Sequence, residues 1–133
     1  MAEKVRYMSQ AWRQEVERRI RQELSPEKMN HLTSSMSNIY LHCPDDKDKY
    51  LFFKFEGGKL VELALGEGEP PEAEFRITGP YEIFARISRS EIGSQRALMS
   101  GKLKLKGNMI KALKLASISD RVNKVISSID AEY

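Results

Sequence analysis

Lysine and leucine alternate over residues 101–106, so Lys102, Lys104 and Lys106 would point to one side of an extended chain and Leu103 and Leu105 to the other. That is the pattern of a half-buried strand. At Gly107 and Asn108 the period lengthens to that of a helix: asparagine is a favoured N-cap, and Met109, Ile110, Leu113 and Ala116 follow at helical spacing. A strand, a tight turn and a helix result, and the remaining elements can be laid out around them.

Toward the N-terminus, Trp12, Val16, Ile20 and Leu24 recur every fourth residue, and Glu15 with Arg19 and Glu17 with Arg21 stand at i,i+4. This spacing predicts an amphipathic surface helix over residues 9–24. Ser25 and Pro26 read as the cap and first position of a second helix, with Met29, Leu32 and Met36 on one face, so that residues 1–36 form a helical N-terminal segment. Residues 38–43 alternate, with Ile39, Leu41 and Cys43 opposite Tyr40 and His42, and lead through the polar turn 44–49 into a strand over 50–56. There Leu51, Phe53 and Phe55 share a face, and Gly57-Gly58 turns the chain into a third strand over 59–65. After the connection GEGEPP, residues 73–78 form a fourth strand with Phe75 and Ile77 inward, and Gly79-Pro80 opens a helix carrying Ile83, Phe84 and Ile87. A helical turn over 95–99 precedes the Lys/Leu strand. Beyond the central helix, residues 117–120 read as a break with new caps, and Val122, Val125, Ile126 and Ile129 form the stripe of a last helix.

Five strands with helices mostly at the two ends predict an α+β fold, one mixed or antiparallel sheet covered on one face by helices. The central helix adds a demand. At 100° per residue its apolar positions, Leu115, Ala112, Ala116, Met109, Leu113 and Ile110, span about 220°. One packing face needs less, so the helix is expected to touch apolar surface on two sides, a sheet plus either a neighbouring helix or a ligand.

The 133 residues suit one domain, residues 1–133, large enough for a core without disulfide or metal support. Cys43 is the single cysteine, which excludes an intramolecular disulfide and suggests a buried structural thiol in a reducing compartment. No apolar run approaches the ~20 residues of a bilayer span, and residues 1–6 lead into a charged helix instead of a signal-peptide core. The expectation is a soluble, cytoplasmic protein. The net charge of +3 is uneven: residues 101–133 carry seven Lys and Arg against three Asp and Glu. That favours an anionic surface as a transient partner.

The segment MSGKLKLKGNM, opening an apolar helix, resembles the signature of the sterol carrier protein 2 (SCP2) lipid-binding domain in its stand-alone small form, and the order of elements around it is similar over a core of residues 38–130. The resemblance implies a five-stranded, mostly antiparallel sheet covered by helices, with an elongated apolar tunnel between them. It further implies non-catalytic binding and transfer of a hydrophobic ligand: a fatty acid, acyl-CoA, sterol, phospholipid or isoprenoid lipid. With alternation, it nominates Phe75, Ile77, Phe84, Ile87, Leu103, Leu105, Met109, Leu113, Val122 and Ile126 as lining residues. The N-terminal helical segment becomes a lid or a homodimer contact, and the terminal Ala131-Glu132-Tyr133 is not the peroxisomal Ser-Lys-Leu. A chain of 12 to 16 methylenes, at about 0.8 kcal/mol each, gains on the order of 10 kcal/mol on leaving water, so no covalent step or cofactor is required.

Other chemistry is sparse. His31 and His42 fall on different elements, no His or Cys pair has metal-ligand spacing, and no serine sits in a nucleophile elbow. Gly101 and Gly107 bracket lysines without the Gly-Lys-Ser/Thr of a phosphate loop, and the carboxylates of 45–48 lack the spacing of a calcium loop. An enzyme is not expected. The alternatives are a nucleic-acid or anionic-surface module using the Lys102, Lys104 and Lys106 face, or a purely structural domain. Nucleic-acid binding is the weaker reading because no aromatic interleaves with the lysines to stack a base.

Overall fold

The computed structural model describes residues 4–133, apart from the side chain of Ala116. The expectation for residues 1–3 therefore lies outside the described residues. The chain runs β1 (Val5–Arg6), α1 (Gln10–Glu23), β2 (Ser34–Leu41), β3 (Lys49–Glu56), β4 (Lys59–Glu67), β5 (Phe75–Pro80), α2 (Tyr81–Ser88), α3 (Ser94–Met99), β6 (Lys104–Lys106), α4 (Met109–Lys114), α5 (Ala116–Ser127) and β7 (Ala131–Glu132).

Five of these strands form one sheet in the order β4-β3-β2-β5-β6, antiparallel throughout except for the parallel β2–β5 pair. The α+β fold with a five-stranded, mostly antiparallel sheet is the one the sequence predicts. The parallel pair requires a crossover from β4, at the sheet edge, back past β3 and β2. The connection makes it over the outer face, where Ser37 Oγ donates to the Pro71 carbonyl at 3.0 Å and Phe52 is buried. The helices cover the opposite face. A small parallel pair, β1 with β7, clips the two ends of the described chain together (Val5↔Ala131).

Helix α1 forms where the four-residue stripe predicts it. Ser9 Oγ accepts from Trp12 N at 3.1 Å, and Glu15 pairs with Arg19 at 2.7 Å and Glu17 with Arg21 at 3.2 Å. Hydrogen bonds from two arginines hold Glu15 well below the usual carboxylate range, at about 2. Trp12, Val16 and Ile20 are buried against the sheet and α5, so the stripe is covered by this chain itself. Cys43 is a buried free thiol.

The N-terminal segment departs from a helical 1–36 in three ways. Val5 and Arg6 are a strand, residues 26–31 make only a turn, and Met36 lies on β2. Ser25 does cap this turn, its Oγ accepting from Lys28 N at 3.2 Å, but Asn30 and His31 both have φ of +50°. Left-handed backbone at two successive positions ends the helical winding. Strand β2 consequently starts four residues before the expected 38. At the other end, the break expected at 117–120 falls at Leu115, and those residues lie inside α5.

At the junction of β6 and α4 the glycine is required. Gly107 has φ +137°, and a Cβ there would lie 3.0 Å from the Glu74 carbonyl oxygen. Asn108 caps α4 as expected, its Oδ1 accepting from Lys111 N at 3.1 Å. The two-sided burial predicted for this helix is absent. No α4 residue is buried, and Met109 and Ile110 are 43% and 70% exposed. Helical periodicity marks an apolar arc but cannot say whether protein or solvent lies against each part of it.

Candidate functional site

Between the helices and the inner face of the sheet lies an apolar cavity of about 110 Å³. Its floor follows from the strand register. Asn38 of β2 stands between Leu51 of β3 and Ile77 of β5, and Ile77 pairs with Leu105 of β6; the next row is Phe53, Met36 and Phe75. Because β-strand side chains alternate, these residues share one face while Lys104 and Lys106, paired to Thr78 and Arg76, point to the other. Tyr40 extends the floor and packs on Phe84 with ring centroids 4.2 Å apart. A Cβ at the facing Gly79 would sit 2.4 Å from Leu103 Cδ2, so glycine lets Leu103 close down on the sheet.

The roof is built from every major helix: Trp12 of α1, Phe84 and Ile87 of α2, Leu98 of α3, Ala112 and Leu113 of α4, and Ile118, Val122 and Ile126 of α5. The walls at α1, α2 and α5 are firmly buried. At α4 the wall is thin, since Leu113 is half-buried and the far side of the helix faces solvent. One ion pair fixes this helix to the sheet: Lys111 Nζ donates to Glu74, whose other carboxylate oxygen accepts from Ser34 Oγ. Hydrogen bonding from Lys111, then from Ser34, lowers the Glu74 pKa.

Nine of the ten nominated residues, Phe75, Ile77, Phe84, Ile87, Leu103, Leu105, Leu113, Val122 and Ile126, border this cavity. Met109 borders none of it and lies open on the outer side of α4. Sequence reasoning passed over the inner face of β2 and the indole of Trp12. The sequence reading put Met36 on a helix and began the strand at residue 38, so the alternation Met36, Asn38, Tyr40 along β2 was not assembled.

Among the described residues, no Asp, Glu, Lys, Arg or His borders the cavity, in a chain that is 31% Asp, Glu, Lys and Arg. Burial pushes the hydroxyl of Tyr40, which borders the cavity, up and away from ionisation. Among the same residues no group of three His, Cys, Asp or Glu is placed to hold a metal ion. What this arrangement can do is exclude water from something uncharged and apolar.

The model of the SCP-2 sterol transfer family matches residues 15–120, starting within α1 instead of at the expected residue 38. The chain is 32% identical to hydroxysteroid dehydrogenase-like protein 2 of Rattus norvegicus over 92 residues, which are 68% of this chain and 17% of that protein. It is 30% identical to the oleate-induced peroxisomal protein POX18 of Candida maltosa over 65 residues, 49% of this chain and 51% of that one. The match thus spans about a sixth of the length of the first of these relatives and half of the second. In structure, a crystal structure of sterol carrier protein 2 superposes with a TM-score of 0.80 at 22% identity, covering 92% of this chain and 98% of the other. A conserved hypothetical protein from Thermus thermophilus gives 0.79 at 21% identity, covering 98% and 94%.

Proposed function

The chain belongs to the SCP-2 sterol transfer family, and from that premise we propose that it binds a hydrophobic ligand reversibly in the cavity between sheet and helices and hands it on without chemical change. The observation that carries the reading is a cavity with no charged lining residue among the described ones, in a highly charged chain. A dry core would be expected to close around so many large side chains, whereas a persistent apolar space loses dispersion contacts along its whole lining.

The volume says how the ligand must enter. At about 110 Å³ the cavity is smaller than the roughly 150 Å³ apolar cavity that takes up benzene. A chain of 12 to 16 carbons therefore has to widen it into a tunnel, and α4, which has no buried residue, is the wall that yields at least cost. Its outer side presents Met109 and Ile110 beside Lys111 and Lys114, with Lys102, Lys104 and Lys106 on the preceding segment, all exposed. That mixture suits brief contact with an anionic membrane surface during exchange. No helix of the described residues is long and apolar enough to cross a membrane. A single buried thiol fits a reducing compartment, for which we propose the cytoplasm; the peroxisomal relative of Candida maltosa makes the peroxisome the alternative.

The test is thermal. Delipidated protein is melted with fatty acids, acyl-CoAs, sterols, phospholipids and polyprenyl lipids. A ligand at about 100 times its Kd should raise Tm by roughly 10 °C for a domain of this size. A panel in which no member moves Tm would remove the carrier reading.

A further inference from the structure

Each of the other roof helices has at least one buried residue, whereas α4 has none, and the chain on either side of it is anchored. On one side β6 pairs with β5, and Leu103 N donates to the Ala97 carbonyl at 3.1 Å. On the other, Arg121 of α5 donates to the Lys28 carbonyl, and Ile118 and Val122 are buried. Between these anchors α4 is bounded by Gly107, at φ +137°, and by the break at Leu115, at φ −90° and ψ 0°. A segment of 6 residues with a pivot at each end can swing without disturbing the sheet or α5.

What holds it down is the pair of Lys111 with Glu74. Ser34, the second partner of Glu74, borders the cavity, and so do Ala112 and Leu113 beside Lys111. The pair therefore closes the rim where roof meets floor. Its lysine and glutamate side chains are 47% and 36% exposed. An ion pair this open is a weak lock, because water and ions reach both partners. It also releases cleanly: when Lys111 leaves, Glu74 keeps Ser34 and solvent, so no buried charge is stranded.

Release requires a partner that binds the open lid better than the shut one. The outer side of α4 identifies its chemistry. Ile110, 70% exposed, and Met109 offer apolar contact, and Lys106 and Lys114 are exposed cations around them. An anionic lipid surface meets these groups in either state, but its phosphates gain Lys111 only once Glu74 has let go. The same surface repels the Glu74 carboxylate. Free phosphate lacks the interfacial apolar layer that takes up Ile110, so it has less hold on the lid.

Resting on the lipid-binding reading above, we infer that the Lys111–Glu74 pair is a latch that keeps α4 shut in water, and that an anionic bilayer surface opens the cavity by taking Lys111 from Glu74. Lys114 then docks the helix, while Lys111 gates it, and exchange is confined to the membrane surface.

Spin labels on Met109→Cys and Val61→Cys, in a Cys43→Ser background, read the lid directly by pulsed dipolar EPR. Both labelled positions are exposed and neither borders the cavity. Val61 lies on β4, at the sheet edge opposite β6, and the four strand spacings between those edges set a baseline of roughly 19 Å. Vesicles of phosphatidylcholine should leave the distance as it is in buffer. Vesicles of phosphatidylcholine and phosphatidylglycerol in equal parts should lengthen it by roughly 4 Å, one van der Waals layer. Glu74→Gln and Lys111→Gln should each show the long distance already in buffer, and Glu74→Lys combined with Lys111→Glu should bring the short one back, a rescue that a merely structural Glu74 would not give. Inorganic phosphate should leave the distance short. An unchanged distance on anionic vesicles, a short distance in Glu74→Gln, or lengthening by phosphate alone overturns the latch. The thermal panel above reads ligand uptake and not lid position, so the latch can fail while the lipid-binding reading stands.

Discussion

Replacing Leu113 by alanine separates a cavity wall from ordinary packing. A leucine in a close-packed core costs about 2 to 5 kcal/mol when cut to alanine, because lost transfer energy is joined by the cost of the new void. Leu113 is half-buried and already borders empty space, so the second contribution is nearly absent. Three carbons at about 0.8 kcal/mol each, half removed from water, leave about 1 kcal/mol. Ile20 provides the comparison. It is 1% exposed, lies outside the cavity lining, and its alanine variant should show the full packing cost of about 2 to 5 kcal/mol. Denaturant melts of the two delipidated variants give both numbers directly. With ligand present, Leu113→Ala should also shift the preferred chain length upward, since the widened wall admits more carbons. A loss of about 3 kcal/mol or more at Leu113, with unchanged ligand preference, would place it in the dry core and refute the reasoning.

Three further expectations follow from named contacts. Glu74 has its pKa lowered by Lys111 and Ser34, so the stability it contributes is complete above the ordinary carboxylate pKa and is lost as pH falls through its lower folded value; the protection of the Met109–Lys114 amides, relative to the intrinsic exchange rate at each pH, should therefore fall on acidification, and Glu74→Gln should make it low at every pH. Substituting Gln for Lys102, Lys104 and Lys106 should slow ligand transfer to anionic vesicles, especially at low salt, with little change in affinity for soluble ligand; equal transfer rates for the variant would remove the membrane contact. Gly107→Ala should destabilise by about 1 to 3 kcal/mol in denaturant melts, because it places a Cβ at φ +137° and 3.0 Å from a carbonyl oxygen, and a neutral result would mean that the turn relaxes freely.

Where one periodicity ran unbroken, the sequence was easy to read. The Trp12, Val16, Ile20 stripe and the alternating Leu51, Phe53, Phe55 face both follow from a single repeat, and each is buried where expected. Residues 25–36 misled because Met29, Leu32 and Met36 stand at three- and four-residue intervals, a spacing that also arises when a turn hands over to a strand. Only the left-handed pair Asn30 and His31 separates the two cases, and nothing in their side chains compels it. On α4 the apolar arc was legible but its occupant was not: Leu113 meets the cavity and Ile110 meets solvent. Asn38 was out of reach for a different reason. Its place between Leu51 and Ile77 depends on strand order, and a parallel β2–β5 pairing is not encoded in any local pattern.

Native mass spectrometry of the freshly purified protein, followed by solvent extraction and reloading, tests the central claim most directly. The account predicts a one-to-one adduct of a lipid's mass, released by extraction and restored by adding that lipid, with the adduct lost when the wall of α4 and α5 is filled by Ala112→Trp. Protein that is lipid-free as isolated, and that forms no stoichiometric complex with any lipid offered, would contradict it.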